Sequence, residues 1–337
     1  MQHLGFPLHT IIIFILFVVA ALFVDLVGHK NDKIMSLKSA SLWSIFWVLV
    51  SVVFLYYEHG GEMAKLFFAG YILEKSLSVD NLFVIMAIFT WFKIPQNYRH
   101  KVLYFGILGA IVFRLIFVAI GSGLFMLGSW MQIIFGLVVL YSAILMLKTN
   151  DSDDDEIEDY SNHLAYKFVY KYFSVFPKIV GHSFFINKNT VQSELNKNPN
   201  LNFVDKKTWL IATPLFLCLC VIEVSDVMFA FDSVPAVIAV SQEPLIIYSA
   251  MIFAILGLRA MYFVLESLKK YLVYLEKSVI VLLFFIGFKI IINALNAMFD
   301  LEFEISSTIS LIAIFTILGF GVLASVFVGK KQDISNL

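Results

Sequence analysis

The sequence predicts an all-α, polytopic transmembrane bundle of about nine helices. Hydrophobic residues fill 60% of the 337 positions, charged residues only 15%, and mean hydropathy is +0.88, all outside the range of soluble domains. Nine apolar runs of about 20 residues match the length needed to cross about 30 Å of hydrocarbon at 1.5 Å per residue. Lys and Arg collect in alternate connections, nineteen on one side against Lys65 alone on the other. That asymmetry predicts an N-out, C-in orientation with the basic loops in the cytoplasm.

The first run, 9–28, lacks a basic leader and a small-residue cleavage site, and it carries Asp25, so it reads as a retained helix whose acid snorkels at one end. Runs 39–57, 66–92, 102–121 and 125–147 complete a first membrane half, 1–147. Residues 148–207 form a cytoplasmic loop opening on "DSDDDEIEDY", a solvated acidic tract whose like charges keep it extended. A second half, 208–329, holds runs 208–231, 245–265, 278–298 and 306–328, and residues 330–337 are a cytoplasmic tail. Only helices satisfy their own backbone groups in lipid over runs this long.

Several function classes drop out. A net charge of −1 gives no reason to expect nucleic acid. Cys218 and Cys220 point about 200° apart on a helix, so they form neither a disulfide nor a zinc site. The seven His residues lie at or beyond the ends of the runs, and no phosphate-binding motif or His-paired nucleophile suggests an enzyme.

Polar residues inside the apolar runs carry the functional reading. Lys75, Arg114, Arg259 and Lys289 sit there, with Glu74, Asp80, Glu223, Asp226 and Asp232. A charge at the bilayer centre costs at least about 2.5–3.5 kcal/mol, so the four cations read as a supporting network facing the bundle interior. The acids are denser than pairing requires and make a negative well suited to a cation.

The stretch "EKSLSVDN" of the third run has a counterpart, "DVMFAFDS", in the sixth: Glu74 aligns with Asp226, Asp80 with Asp232 and Asn81 with Ser233. "ILGAIVFRLIFV" likewise answers "ILGLRAMYFVL", pairing Arg114 with Arg259 at a different distance from the glycine. An odd number of helices separates the copies, so the second enters from the opposite side. This predicts an inverted three-plus-three repeat, helices 3–5 (62–147) and 6–8 (208–298). Six residues place the two acids of one copy about 120° apart on a continuous helix. A small ion therefore needs both copies, and a break in the third or sixth run, near Pro235 in the latter, would expose carbonyl oxygens.

These motifs, "LEKSLSVDNLFV", "EVSDVMFAFDSVPAV" and "ILGLRAMYF", resemble the TerC family of bacterial and plastid integral membrane proteins over about residues 60–300. The resemblance implies a pH-responsive, manganese-exporting subgroup, with Glu74, Asp80, Asn81, Glu223, Asp226, Asp232 and Ser233 as the residues carried over. Oxygen ligands of these types suit hard divalent cations, with Mn²⁺ the first expectation and Ca²⁺ and Mg²⁺ alongside. No permanently bound cofactor is expected. The partners are the lipid bilayer, the transported ion and protons, since crowded buried carboxylates exchange protons for metal. Lys75 or Arg114 would stand in for the absent cation. The expected location is the bacterial inner membrane. The alternative reading is an assembly partner in metal, redox or tellurium stress that does not transport.

Overall fold

The computed structural model describes residues 37–58, 60–149, 160–198, 203–206, 208, 210–241, 243–268, 273–300, 305 and 307–335, with scattered positions between 2 and 23. Asp25, the acidic tract 151–159 and the side chains of Asp80 and Asp232 lie outside the described residues. A two-residue antiparallel pair, β1 (Gln2–His3) and β2 (Phe6–Pro7), precedes helical positions between 12 and 23. The first half is then built from α1 (Leu37–Glu58), α2 (Gly60–Trp91), α3 (Gln96–Phe125) and α4 (Ser129–Thr149). Pro95 in extended geometry opens α3, and Gly128, at φ +126°, turns the chain into α4.

The connecting segment folds into a small unit: a 3₁₀ turn (Tyr160–Asn162), α5 (Leu164–Tyr172), β3 (Ser174–Val175), β4 (Phe185–Ile186), α6 (Lys188–Lys197) and β5 (Ile211–Ala212). β5 lies centrally, parallel to β3 and antiparallel to β4. Asn187 caps α6 by accepting from the Thr190 amide at 2.9 Å.

The second half contains α7 (Pro214–Val240), α8 (Pro244–Ile255), α9 (Leu258–Leu268), α10 (Val273–Phe299) and α11 (Ser307–Ser335). α7 and α8 each begin on a proline, where the missing N–H costs nothing. Among the described residues, four helices are long and apolar enough to span a membrane, or six if two bent pairs each count as one. Rows of exposed Val, Leu, Ile and Phe on α3, α4 and α11 are the lipid-facing flank of such a bundle.

The bent pairs correct one expectation. α2 runs unbroken for 32 residues, whereas the seventh run breaks between α8 and α9 with a 49° bend at Leu256–Gly257. Gly257 sits at φ +79° with Trp47 against its Cα, in space a Cβ would need. α7 bends by 41° about residues 231–232. Pro235 lies inside this helix, and its ring opposes the carbonyl four residues earlier, at Phe231.

α2 packs on α7 and α8, α3 on α7 and α8, and α4 on α10. At the α4–α10 crossing two glycines bring the backbones together. A Cβ on Gly136 would lie 3.1 Å from the Gly287 carbonyl, and one on Gly287 would lie 3.2 Å from the Gly136 carbonyl.

Candidate functional site

The site is assembled on the inner face of α2. Glu74, Ser78 and Asn81 stand at helical offsets of four and seven, so one stripe carries all three, and their exposures are 0%, 1% and 8%. From α3 comes Arg114, 2% exposed, whose guanidinium sits between two acids. Its Nη1 pairs with Glu74, and its Nη2 donates to Asp226 Oδ1 on α7 at 3.1 Å. With its amide turned to satisfy both neighbours, Asn81 accepts from the same Nη2 at 3.2 Å and donates to the Leu77 carbonyl at 3.2 Å. One guanidinium thus joins three of the predicted residues, Glu74 and Asn81 from one motif copy and Asp226 from the other.

Glu223 lies one turn before Asp226 on α7, and its carboxylate rests against Gly109 of α3, filling the space that a Cβ there would occupy. Ser225 turns away and donates to the Val221 carbonyl at 2.8 Å. Ser233 is 2% exposed immediately after the bend of α7. Among the described residues, Glu223 Oε2, Asp226 Oδ2 and the hydroxyls of Ser78 and Ser233 are buried without a hydrogen bond. Buried oxygens of this kind each cost about 1–3 kcal/mol, which marks the region as built for something besides packing.

Beside this cluster lies a cavity of about 40 Å³ lined by Ser78, Asn81, Gly106, Ala110, Asp226 and Arg259 with apolar neighbours, roomy enough for water or a small ion. Arg259, on α9 just past the break, is 4% exposed on its wall.

The two lysines have other work. Lys75 Nζ donates to the carbonyls of Ala254 at 3.0 Å and Leu256 at 3.2 Å, the oxygens released where α8 ends. Lys289, 3% exposed on α10, donates to the Ala239 carbonyl at 3.1 Å in the last turn of α7. Both cations sit where a helix presents its negative end. Of the two cations considered as stand-ins for the ion, Arg114 lies among the acids and Lys75 on backbone carbonyls.

No group of three or more His, Cys, Asp or Glu side chains comes together among the described residues. Two residues escaped the sequence reading. Ser78 could have been found from its offset of four from Glu74. Gly109 could not, because what distinguishes it is the carboxylate of a distant helix.

The family model described as "Integral membrane protein TerC family" matches residues 59–333, most of the chain. The chain belongs to the TerC family. It is 57% identical over 338 residues to "Tellurium resistance protein TerC" of Serratia marcescens, covering 98% of this chain and 97% of that one. To the protein of the same name from an Alcaligenes species it is 55% identical, with 99% and 98% covered. An "Uncharacterized membrane protein" of Rickettsia bellii is 37% identical over 94% of this chain and 96% of its own. No solved structure matches the chain. The family match covers both acidic motifs and the arginines of α3 and α9, so all the residues grouped around Arg114 lie within it.

Proposed function

We propose that this TerC-family chain is an inner-membrane transporter that exports a divalent cation, Mn²⁺ foremost, through a carboxylate site shared by two inverted repeats. The observation that carries the reading is Arg114 seated between Glu74 and Asp226, the two acids that correspond in the duplicated motif. A positive charge already occupies the place where the copies meet. A divalent ion arriving from the adjoining cavity would compete with the guanidinium for the same oxygens, and Arg114 would return as the ion leaves. The unsatisfied oxygens of Glu223, Asp226, Ser78 and Ser233 are hard donors of the right class. Asp80 and Asp232 complete the carboxylate set.

Two packing facts support the repeat. Exchanging α2 with α7 and α3 with α8 converts the α2–α8 contact into α7–α3 and leaves α2–α7 on itself. The mutual approach of Gly136 and Gly287 is the same relation seen at α4–α10. Inversion about such an axis gives the two mirrored access states of a secondary transporter. Protons are the proposed counter-substrate, because metal binding to carboxylates releases them. The distribution of Lys and Arg supports an N-terminus outside and the 148–207 segment in the cytoplasm.

The test is metal flux in proteoliposomes, comparing Mn²⁺, Ca²⁺ and Mg²⁺ with and without a pH gradient, for wild type, Asp80→Asn and Asp232→Asn. Wild type should move Mn²⁺ fastest, and both variants should be folded and inactive. Two relatives carry tellurium resistance in their names, so tellurite is a further arm of the same assay. Flux equal in wild type and Asp80→Asn would remove the chemical basis of the proposal.

A further inference from the structure

Outside the membrane bundle, α5 presents an arrangement that the transport site does not use. Its sequence, "LAYKFVYKY", buries Ala165 and Val169 against the bundle. Leu164, Phe168 and Tyr172, spaced by four, form a second stripe that is 75%, 57% and 55% exposed. The helix therefore has two apolar faces, one packed and one bare. Its polar edge is Lys167 and Lys171, both exposed, and it carries no acidic residue. The tilted rings of Phe168 and Tyr172 meet along the bare stripe with centroids 4.7 Å apart, and Lys171 Nζ lies 5.4 Å over the Tyr172 ring. A third cation, Lys206, donates to the Tyr170 carbonyl.

The height of α5 on the bundle says what covers that stripe. Val169 shares a buried core with Leu217, three residues into α7, which at 1.5 Å per residue is about 4.5 Å from the start of that spanning helix. Tyr166 lies 5.5 Å from Trp91 and 6.4 Å from Phe92, at the end of α2. Trp, Phe and Tyr gathered at helix ends mark the boundary between headgroups and acyl chains. Interfacial helices lie about 5–10 Å into that boundary, with Lys on the polar side. That depth puts α5 at the level of the interface, where exposed Leu and aromatic side chains suit acyl chains and Lys side chains suit headgroups.

We propose that α5 is an interfacial helix that sinks Leu164, Phe168 and Tyr172 into the leaflet on the side where the unit of α5 and α6 lies, with Lys167 and Lys171 on anionic lipid headgroups. It would fix the entrance of α7, the helix that carries Glu223 and Asp226, to the membrane surface. The inference does not depend on what the protein transports.

The test uses the full-length chain in nanodiscs of phosphatidylcholine, with or without phosphatidylglycerol. Cys218 and Cys220 are replaced by Ala, and a nitroxide is placed at Leu164→Cys, Phe168→Cys or the aqueous control Lys197→Cys on α6. All three positions are exposed, so labelling removes no core contact; size-exclusion elution confirms folding. Positions 164 and 168 should collide freely with oxygen and poorly with a water-soluble nickel chelate, and position 197 should do the reverse. In anionic discs, Lys167→Gln with Lys171→Gln should raise nickel access at 168, by up to about fivefold per lysine removed, and leave it unchanged in neutral discs. Nickel access at 164 and 168 equal to that at 197 would overturn the proposal. So would protection from both reagents, which would mean that protein, the chain's own or a second copy, covers the stripe.

Discussion

Arg114→Gln is the most discriminating single change, because the structure dictates both its size and its cure. Arg114 is 2% exposed and serves two carboxylates: Glu74, with a wholly buried side chain, and Asp226, whose side chain is 14% exposed. Removing one partner of a buried ion pair leaves an uncompensated charge and costs about 3–5 kcal/mol. The cost should come mainly from Glu74, since Asp226 retains some access to water. At 1.4 kcal/mol per factor of ten, the ratio of folded to unfolded protein falls by about two to three and a half orders of magnitude. In the double variant Glu74→Gln/Arg114→Gln the buried charges leave together, and stability should return to within about 1–2 kcal/mol of wild type. The assay is the midpoint of heat-induced loss of the monodisperse peak on size-exclusion chromatography in detergent. An Arg114→Gln protein as heat-stable as wild type, or a double variant worse than the single, would refute the claim that Arg114 neutralises these acids.

Gly109→Ala places a methyl group where the Glu223 carboxylate rests, so it should lower Mn²⁺ flux while Gly123→Ala, with nothing within 4 Å, leaves flux intact. Lys75→Met strips the Ala254 and Leu256 carbonyls of their donor and should cost about 1.5–3 kcal/mol of stability, read by the same chromatographic midpoint. Cells with Asp80→Asn or Asp232→Asn should accumulate manganese alike, with the double variant little worse than either, as measured by elemental analysis of washed cells. A cysteine at Gly60 should react with an impermeant thiol reagent on intact spheroplasts and one at Asp153 should not; labelling at 153 would reverse the assigned orientation.

Much of the bundle was legible because lipid imposes a simple requirement: long apolar runs must be helical. The duplicated acids themselves were legible, but that Arg114 and not the neighbouring Lys75 stands between Glu74 and Asp226 was not, because Lys75 is drawn to the carbonyls freed at the end of α8. The bend of α7 followed from Pro235. The break at Gly257 was not legible. "ILGA" around Gly109 and "ILGL" around Gly257 look alike, yet the first lies in continuous α3 and the second ends a helix. What decides between them is remote: Trp47 packs on Gly257, and Lys75 reaches across from α2 to take the released carbonyls. Nor did the sequence announce the small sheet, whose central strand β5 lies beyond the 148–207 segment at the start of the sixth run, since strands of two residues have no periodicity to read.

That difference between the two glycines bears on the proposed mechanism. A perfectly symmetric pair of repeats would open equally toward both sides, whereas alternating access needs one side shut at a time. The asymmetry here is concentrated in the second helix of each copy: intact around Gly109, with Glu223 against it, and broken at Gly257, with Lys75 on the free carbonyls. It also accounts for the unequal distance from glycine to arginine, five residues in one copy and two in the other, because a 49° break re-aims whatever follows it. If the copies exchange conformations during export, Gly109 must take the strained role. Glu223 must then leave it, and Lys75 must release Ala254 and Leu256. Glu74 and Asp226 meet where the proposed copies would join, with Arg114 between them in the ion-free arrangement. The acids at the centre would hold the ion, and the glycines and Lys75 around them would decide from which side it is reached.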